Sequence, residues 1–208
     1  MTNINTVLDQ LASEGAAPQT GSTLRFAAPL LAVLALCAVG VALVLDGAFA
    51  SMARDGMGPI AVKWSFSVAL LTLCGIALLV LGKPGRPSKA AMVAISVPFV
   101  PILALLALEL SIAGPLFYGE TWRECLAAML VMSPIAFTGA ILGARTLAPT
   151  NLRRAGLVAG LFGGAVAMTA YAPFCPERGM GYLAVFYLLP ILTMAGVGWA
   201  LGPRLLRW

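Results

Sequence analysis

Two of the four cysteines in this chain stand where a thiol can react. Cys125 closes Trp122-Arg123-Glu124-Cys125 at the start of one apolar run, and Cys175 lies in Ala172-Pro173-Phe174-Cys175-Pro176-Glu177-Arg178 between two others. Such thiols pair as disulfides, react with oxidants, or bind a soft metal ion. Pro176 and Glu177 shape the turn beside Cys175. Cys37 and Cys74 lie mid-run among Leu, Ala and Val and read as small buried hydrophobes. Glu109 sits near the outer end of a run, either as a functional carboxylate within the bilayer or at interfacial water. The chain contains no His, which removes most haem, zinc and acid–base chemistry. It has no Cys-x-x-Cys, no Walker sequence and no glycine fingerprint. Two thiols without His make an incomplete zinc site, so any metal at Cys125 and Cys175 is expected to be transient. No catalytic residue, cofactor or enzymatic activity is expected.

The elements that position these residues follow from composition. The chain has 208 residues, 61% hydrophobic and only 10% charged, whereas soluble domains carry about 25% charged residues. Charges cut it into six uncharged windows, 26–45, 64–82, 90–108, 125–144, 155–176 and 179–203. Each is close to the roughly 20 residues that cross a bilayer core. A spanning segment must satisfy its own backbone hydrogen bonds, which makes each window a helix. The windows lack the short alternating pattern of barrel strands. The expected fold is all-α: a polytopic bundle of six transmembrane helices over 25–208, with a tail at 1–24. The first run reads as a retained span, since it is too long for a signal peptide.

Lys and Arg set the orientation. One side carries Arg25, Lys83, Arg86, Lys89, Arg145, Arg153, Arg154, Arg204 and Arg207, and the other only Arg54, Lys63, Arg123 and Arg178. Nine against four places both termini in the cytoplasm. The basic residues form no patch with aromatics, so nucleic acid is not an expected partner. In the tail, Ile4, Val7, Leu8 and Leu11 fall on one helical face. That face suits either the membrane surface or a groove on a cytoplasmic protein.

Counting from the turn near Pro149, Cys125 lies 24 residues before it and Cys175 lies 26 after. At 1.5 Å per residue their heights differ by about 3 Å. The fourth and fifth runs should be antiparallel neighbours, which puts both thiols, accessible, at the boundary of the oxidising compartment. Sequence does not fix the separation that a disulfide needs. Inert half-buried thiols, a permanent disulfide, and a redox or soft-metal response all remain open. Pro98 and Pro101 should kink the third run. Gly156, Gly160 and Gly164 should pack the fifth inside the bundle, or form a homodimer face. Trp122 and the stretch Leu116-Phe117-Tyr118 read as interface anchors.

Over its full length the sequence resembles the NrsF family of bacterial inner-membrane regulators, named for negative regulation of sigma F. The resemblance rests on Thr6-Val7-Leu8-Asp9-Gln10-Leu11-Ala12, Glu109-Leu110, and Trp122 with Cys125. It also rests on Thr169-Ala170-Tyr171-Ala172-Pro173-Phe174-Cys175-Pro176-Glu177, Phe186-Tyr187, and Gly202-Pro203-Arg204-Leu205-Leu206-Arg207-Trp208. The family commonly has His where Phe174 stands, Asp where Arg178 stands, and Trp-Tyr where Phe186-Tyr187 stand. The resemblance implies an anti-sigma factor that holds an extracytoplasmic-function sigma factor at the membrane and releases it under oxidative or heavy-metal stress. It makes Cys125 and Cys175 the sensing pair, and leaves the sigma contact to the cytoplasmic tail and loops. A rival reading of the same residues is a small membrane transporter with Glu109 in its pathway.

Overall fold

The computed structural model describes residues 20–83, 88–112, 119–147 and 149–207. The expected tail helix with Val7, Leu8 and Leu11, and the aromatics at 116–118, lie outside the described residues. Those described form helices and no strand. Six helices are long and apolar enough to cross a membrane: Leu24–Val44, Gly58–Leu81, Lys89–Ile112, Trp122–Arg145, Leu152–Phe174 and Met180–Leu205. We number these spans in chain order. The second begins at Gly58, ahead of the expected 64–82 window, because Pro59 suits a first helical turn. That earlier start draws Lys63 inside the span, where it is buried. The third span is broken into Ser88–Ser96 and Phe99–Ile112, the break falling at Pro98, which donates no backbone hydrogen bond.

The fifth span is the hub, buried along nearly its whole length. Its glycine stripe meets the sixth span: Gly156 packs on Gly198 and Gly202, Gly160 on Met194 and Ala195, and Gly164 on Ile191. A Cβ at any of the three would collide with the facing chain. The stripe therefore serves packing within the chain, and a homodimer through it has no free surface. Gly163 approaches the fourth span at Ser133 and Phe137, while Gly139 and Gly143 of that span approach the first at Val33 and Leu30. Small residues supply the close contacts that lipid cannot drive by hydrophobic burial. Leu31, Leu36 and Leu43 of the first span and Leu103 and Leu108 of the third are exposed, as helices bordering lipid should be.

The bundle has two chemically different ends. At one, Arg145 Nε donates to the Leu205 carbonyl at 2.7 Å, and Asn151 caps the fifth span by accepting from Arg154 N at 3.0 Å. The other end carries Cys125 and Cys175. Below, they are the basic end and the cysteine end.

Candidate functional site

The fifth span ends in a 3-10 turn, Ala172–Phe174, because Pro173 cannot prolong the helix. Cys175 follows in extended backbone (φ −89°, ψ 114°), and the sixth span starts at Met180. This short crossing is tied to the neighbouring segments of the cysteine end. Phe49 N donates to the Pro173 carbonyl at 2.9 Å. Lys63 Nζ donates to the Cys175 carbonyl at 3.0 Å. Thr121 donates to Glu177 Oε1 through both its N and its Oγ1, each at 3.3 Å. Arg178 forms an ion pair with Asp55. Met180 N donates to the Glu109 carboxylate.

Each tie has a local reason. Phe49 holds a left-handed conformation (φ 62°), strained for a non-glycine residue, and its N–H bond and its edge contact with Trp64 at 5.7 Å keep it there. Gly119 lies so close to the Glu177 carboxylate that a Cβ would collide with it. Glu109 is half-buried and places a negative charge at the first turn of the sixth span, where the helix dipole favours one. Its carboxylate is engaged there as a cap.

Cys125 and Cys175 are free thiols within electrostatic reach of each other. The expectation that they are accessible is corrected: Cys125 is 0% exposed and Cys175 is 2% exposed. The cause is the start of the sixth span, which folds aromatic residues over them. Cys125 Sγ points at the Phe186 carbonyl, 3.8 Å away. Tyr182 and Phe186 stack at 4.7 Å, and Tyr187 lies 6.3 Å from Tyr171 and 6.4 Å from Tyr182 between ring centroids. Ala184–Leu188 is a π-helical turn. This widened turn shifts the register between Tyr182, just before it, and Tyr187, within it, and both side chains reach the thiols. Their buried hydroxyls lie within weak hydrogen-bonding reach of Cys125, and that of Tyr187 also of Cys175. Trp122, 37% exposed, borders the cage 6.2 Å from the Phe186 ring, and Arg123 stacks on its outer side at 5.2 Å.

The structure thus brings together Cys125, Cys175, Glu109, Glu177 and Trp122 around one turn. Pro176 is half-buried within it. Cys37 and Cys74 are buried elsewhere in the core, as expected. Sequence reasoning gave no role to Lys63, which it counted only as an outer charge, or to the three tyrosines, of which Tyr171 and Tyr187 entered only through the family resemblance. Lys63 was visible as a cation abutting an apolar run, but its inward placement required the earlier helix start. Among the described residues, no group of three or more His, Cys, Asp or Glu could hold a metal. A metal at the thiols would therefore be held by two sulfurs, a donor set that fits soft ions and not zinc.

Residues 11–208 match the family described as NrsF, negative regulator of sigma F. The chain is 36% identical over 152 residues, 71% of each protein, to the probable anti-sigma-F factor NrsF of Azospira oryzae. It is 35% identical over 100 residues, 48% of this chain and 47% of the other, to the anti-sigma-F factor NrsF of Caulobacter vibrioides. No solved structure matches.

Proposed function

The chain belongs to the NrsF family of negative regulators of sigma F, and we propose from that premise that it holds an extracytoplasmic-function sigma factor at the bacterial inner membrane and releases it when Cys125 and Cys175 react. Both termini and the basic end face the cytoplasm in this reading. The tail face of Val7, Leu8 and Leu11, together with the cytoplasmic loops, makes the sigma contact. One observation carries the proposal: two thiols far apart in sequence share one aromatic cage, closed by the crossing that ties the outer segments together.

Oxidation here has a simple balance. The two thiols give two electrons and two protons to a peroxide, an S–S bond forms, and the O–O bond breaks to leave two hydroxyl products. A soft metal ion would instead displace both protons and bridge the sulfurs. Tyr182 and Tyr187 bring buried donors to the thiols, and a thiolate sulfur would be a stronger acceptor for them than a thiol. Lys63 positions the site through the Cys175 carbonyl. Burial of the thiols sets the selectivity, since small oxidants and bare metal ions enter where bulky reagents do not.

The signal crosses the membrane through the fifth and sixth spans. Their glycine contacts leave no slack, so a shift at Cys175 must move both helices or break their packing. Reversing a 9:1 bound state takes about 2.6 kcal/mol, and a disulfide supplies about 2–4 kcal/mol. The test is a Cys125→Ser/Cys175→Ser variant co-purified with its sigma factor before and after peroxide or soft-metal exposure. The variant is expected to retain the sigma factor in both conditions, while the parent chain loses it on exposure. Equal release from both would sink the proposal.

A further inference from the structure

At the basic end the sixth span, with Arg153 of the fifth, lines an open cavity of about 480 Å³, its walls including Trp199, Leu201, Pro203, Arg204 and Arg207. Three arginines converge there, and no acidic residue lines it. Among the described residues every Asp and Glu (Asp46, Asp55, Glu109, Glu120, Glu124 and Glu177) belongs to the cysteine end. The walls are rigid. Gly156 against Gly198 and Gly202 fixes the two helices, and the Arg145 bond to the Leu205 carbonyl pins the last turn that carries Arg204. Arg153 stacks its guanidinium 4.8 Å from the Trp199 ring, which holds its planar fork in place at little further entropic cost.

We propose that this cavity binds the phosphodiester headgroup of an anionic phospholipid. Guanidinium groups bind phosphate oxygens in pairs, and basic pockets between spanning helices on the cytoplasmic side take anionic lipid headgroups. What points to a lipid rather than a soluble anion is the surface next to the cavity. Trp199 is 46% exposed, and Leu192 and Leu189 continue the same exposed helix face towards the bilayer centre. A headgroup in the cavity would lay its acyl chains on that face. The bound lipid would bridge the fifth and sixth spans at the end opposite the thiols. The inference is independent of the sigma-factor reading.

Native mass spectrometry of the full chain from detergent tests it, with phosphatidylglycerol, phosphatidylcholine and inorganic phosphate as probes. Phosphatidylglycerol is expected to bind selectively and to raise the melting temperature, with free phosphate unable to displace it. The Arg153→Gln/Arg207→Gln variant should bind it about twenty-five-fold more weakly, at about fivefold for each arginine near an anionic surface. Arg153→Lys/Arg207→Lys, which keeps the charges but loses the planar forks, should bind with a strength between the parent chain and the double Gln variant, and guards against a double Gln variant that fails to fold. Arg123→Gln, at the other arginine–tryptophan stack, should change nothing. Equal binding of the two lipids would overturn the proposal. So would unweakened phosphatidylglycerol binding in a folded double Gln variant, or displacement by free phosphate. Loss of sigma-factor capture with lipid binding intact would assign the surface to a protein and overturn it equally.

Discussion

Lys63 is an ammonium 4% exposed inside a membrane span, and the partner that the structure gives it is the carbonyl of Cys175. A buried charge is costly unless hydrogen-bonded, so this bond holds the crossing as firmly as it holds the lysine. Lys63→Met leaves that carbonyl unpaired, at a cost of about 1–3 kcal/mol. The expected outcome is faster maleimide labelling of Cys175 in a Cys125→Ser background, by roughly tenfold for each 1.4 kcal/mol lost. Unchanged labelling would show that the crossing is held without Lys63. Tyr187 poses the opposite case, because its hydroxyl is fully buried with only the weakly accepting thiols beside it and no oxygen or nitrogen partner. Tyr187→Phe should raise stability by about 1 kcal/mol, seen as a higher melting temperature, while slowing the thiol response. A lower melting temperature would mean that the hydroxyl has a partner in the resting protein. Sequence pointed to both cysteines, but not to these two residues. The role of Lys63 depends on where a helix begins, and that of Tyr187 on a π-turn that changes which residues share a face.

The fifth span couples the two ends, and its glycines are the means. Gly160 faces the Met194 carbonyl and Ala195 so closely that any side chain must push the helices apart. Gly160→Val should therefore destabilise the bundle by about 1–3 kcal/mol or more, measured by thermal unfolding in detergent. Gly196→Ala, with nothing within 4 Å of the added methyl, should be nearly silent. If both behave alike, the glycine contact is not what joins these spans. The four-residue spacing was legible in sequence, and so was the break at Pro98, because both are local rules of helix geometry. Which helix the stripe faces was not legible, since a small-residue face fits a second copy as well as a neighbouring span.

For the whole molecule, the separation of charge is the feature to test. The basic end gathers Arg145, Arg153, Arg154, Arg204 and Arg207, and the cysteine end holds the carboxylates of the described residues. A fluorescent protein fused after Trp208 should therefore be bright in the cytoplasm, and alkaline phosphatase at the same point inactive. Phosphatase fused within the crossing at Arg178 should be active. The reverse pattern would place the thiols in the reducing compartment and remove the basis for disulfide signalling. The ion pair of Arg178 with Asp55 puts one of the few cations of the cysteine end to structural use.

Sequence alone determined the number of spans and their helical nature, and it set the expectation that Cys125 and Cys175 lie at matched height. These follow from the length of apolar runs, from the need to satisfy the backbone in lipid, and from a fixed rise per residue. Only the tertiary structure decided that the thiols are buried. Burial depends on which side chains of the sixth span fold back over the end of the fifth, and no property of the cysteine-bearing segments encodes that. The same holds for the ties from Lys63, Thr121, Asp55 and Glu109 to one crossing. They join residues between 56 and 123 positions apart, and long-range contacts of that kind arise only when the helices pack.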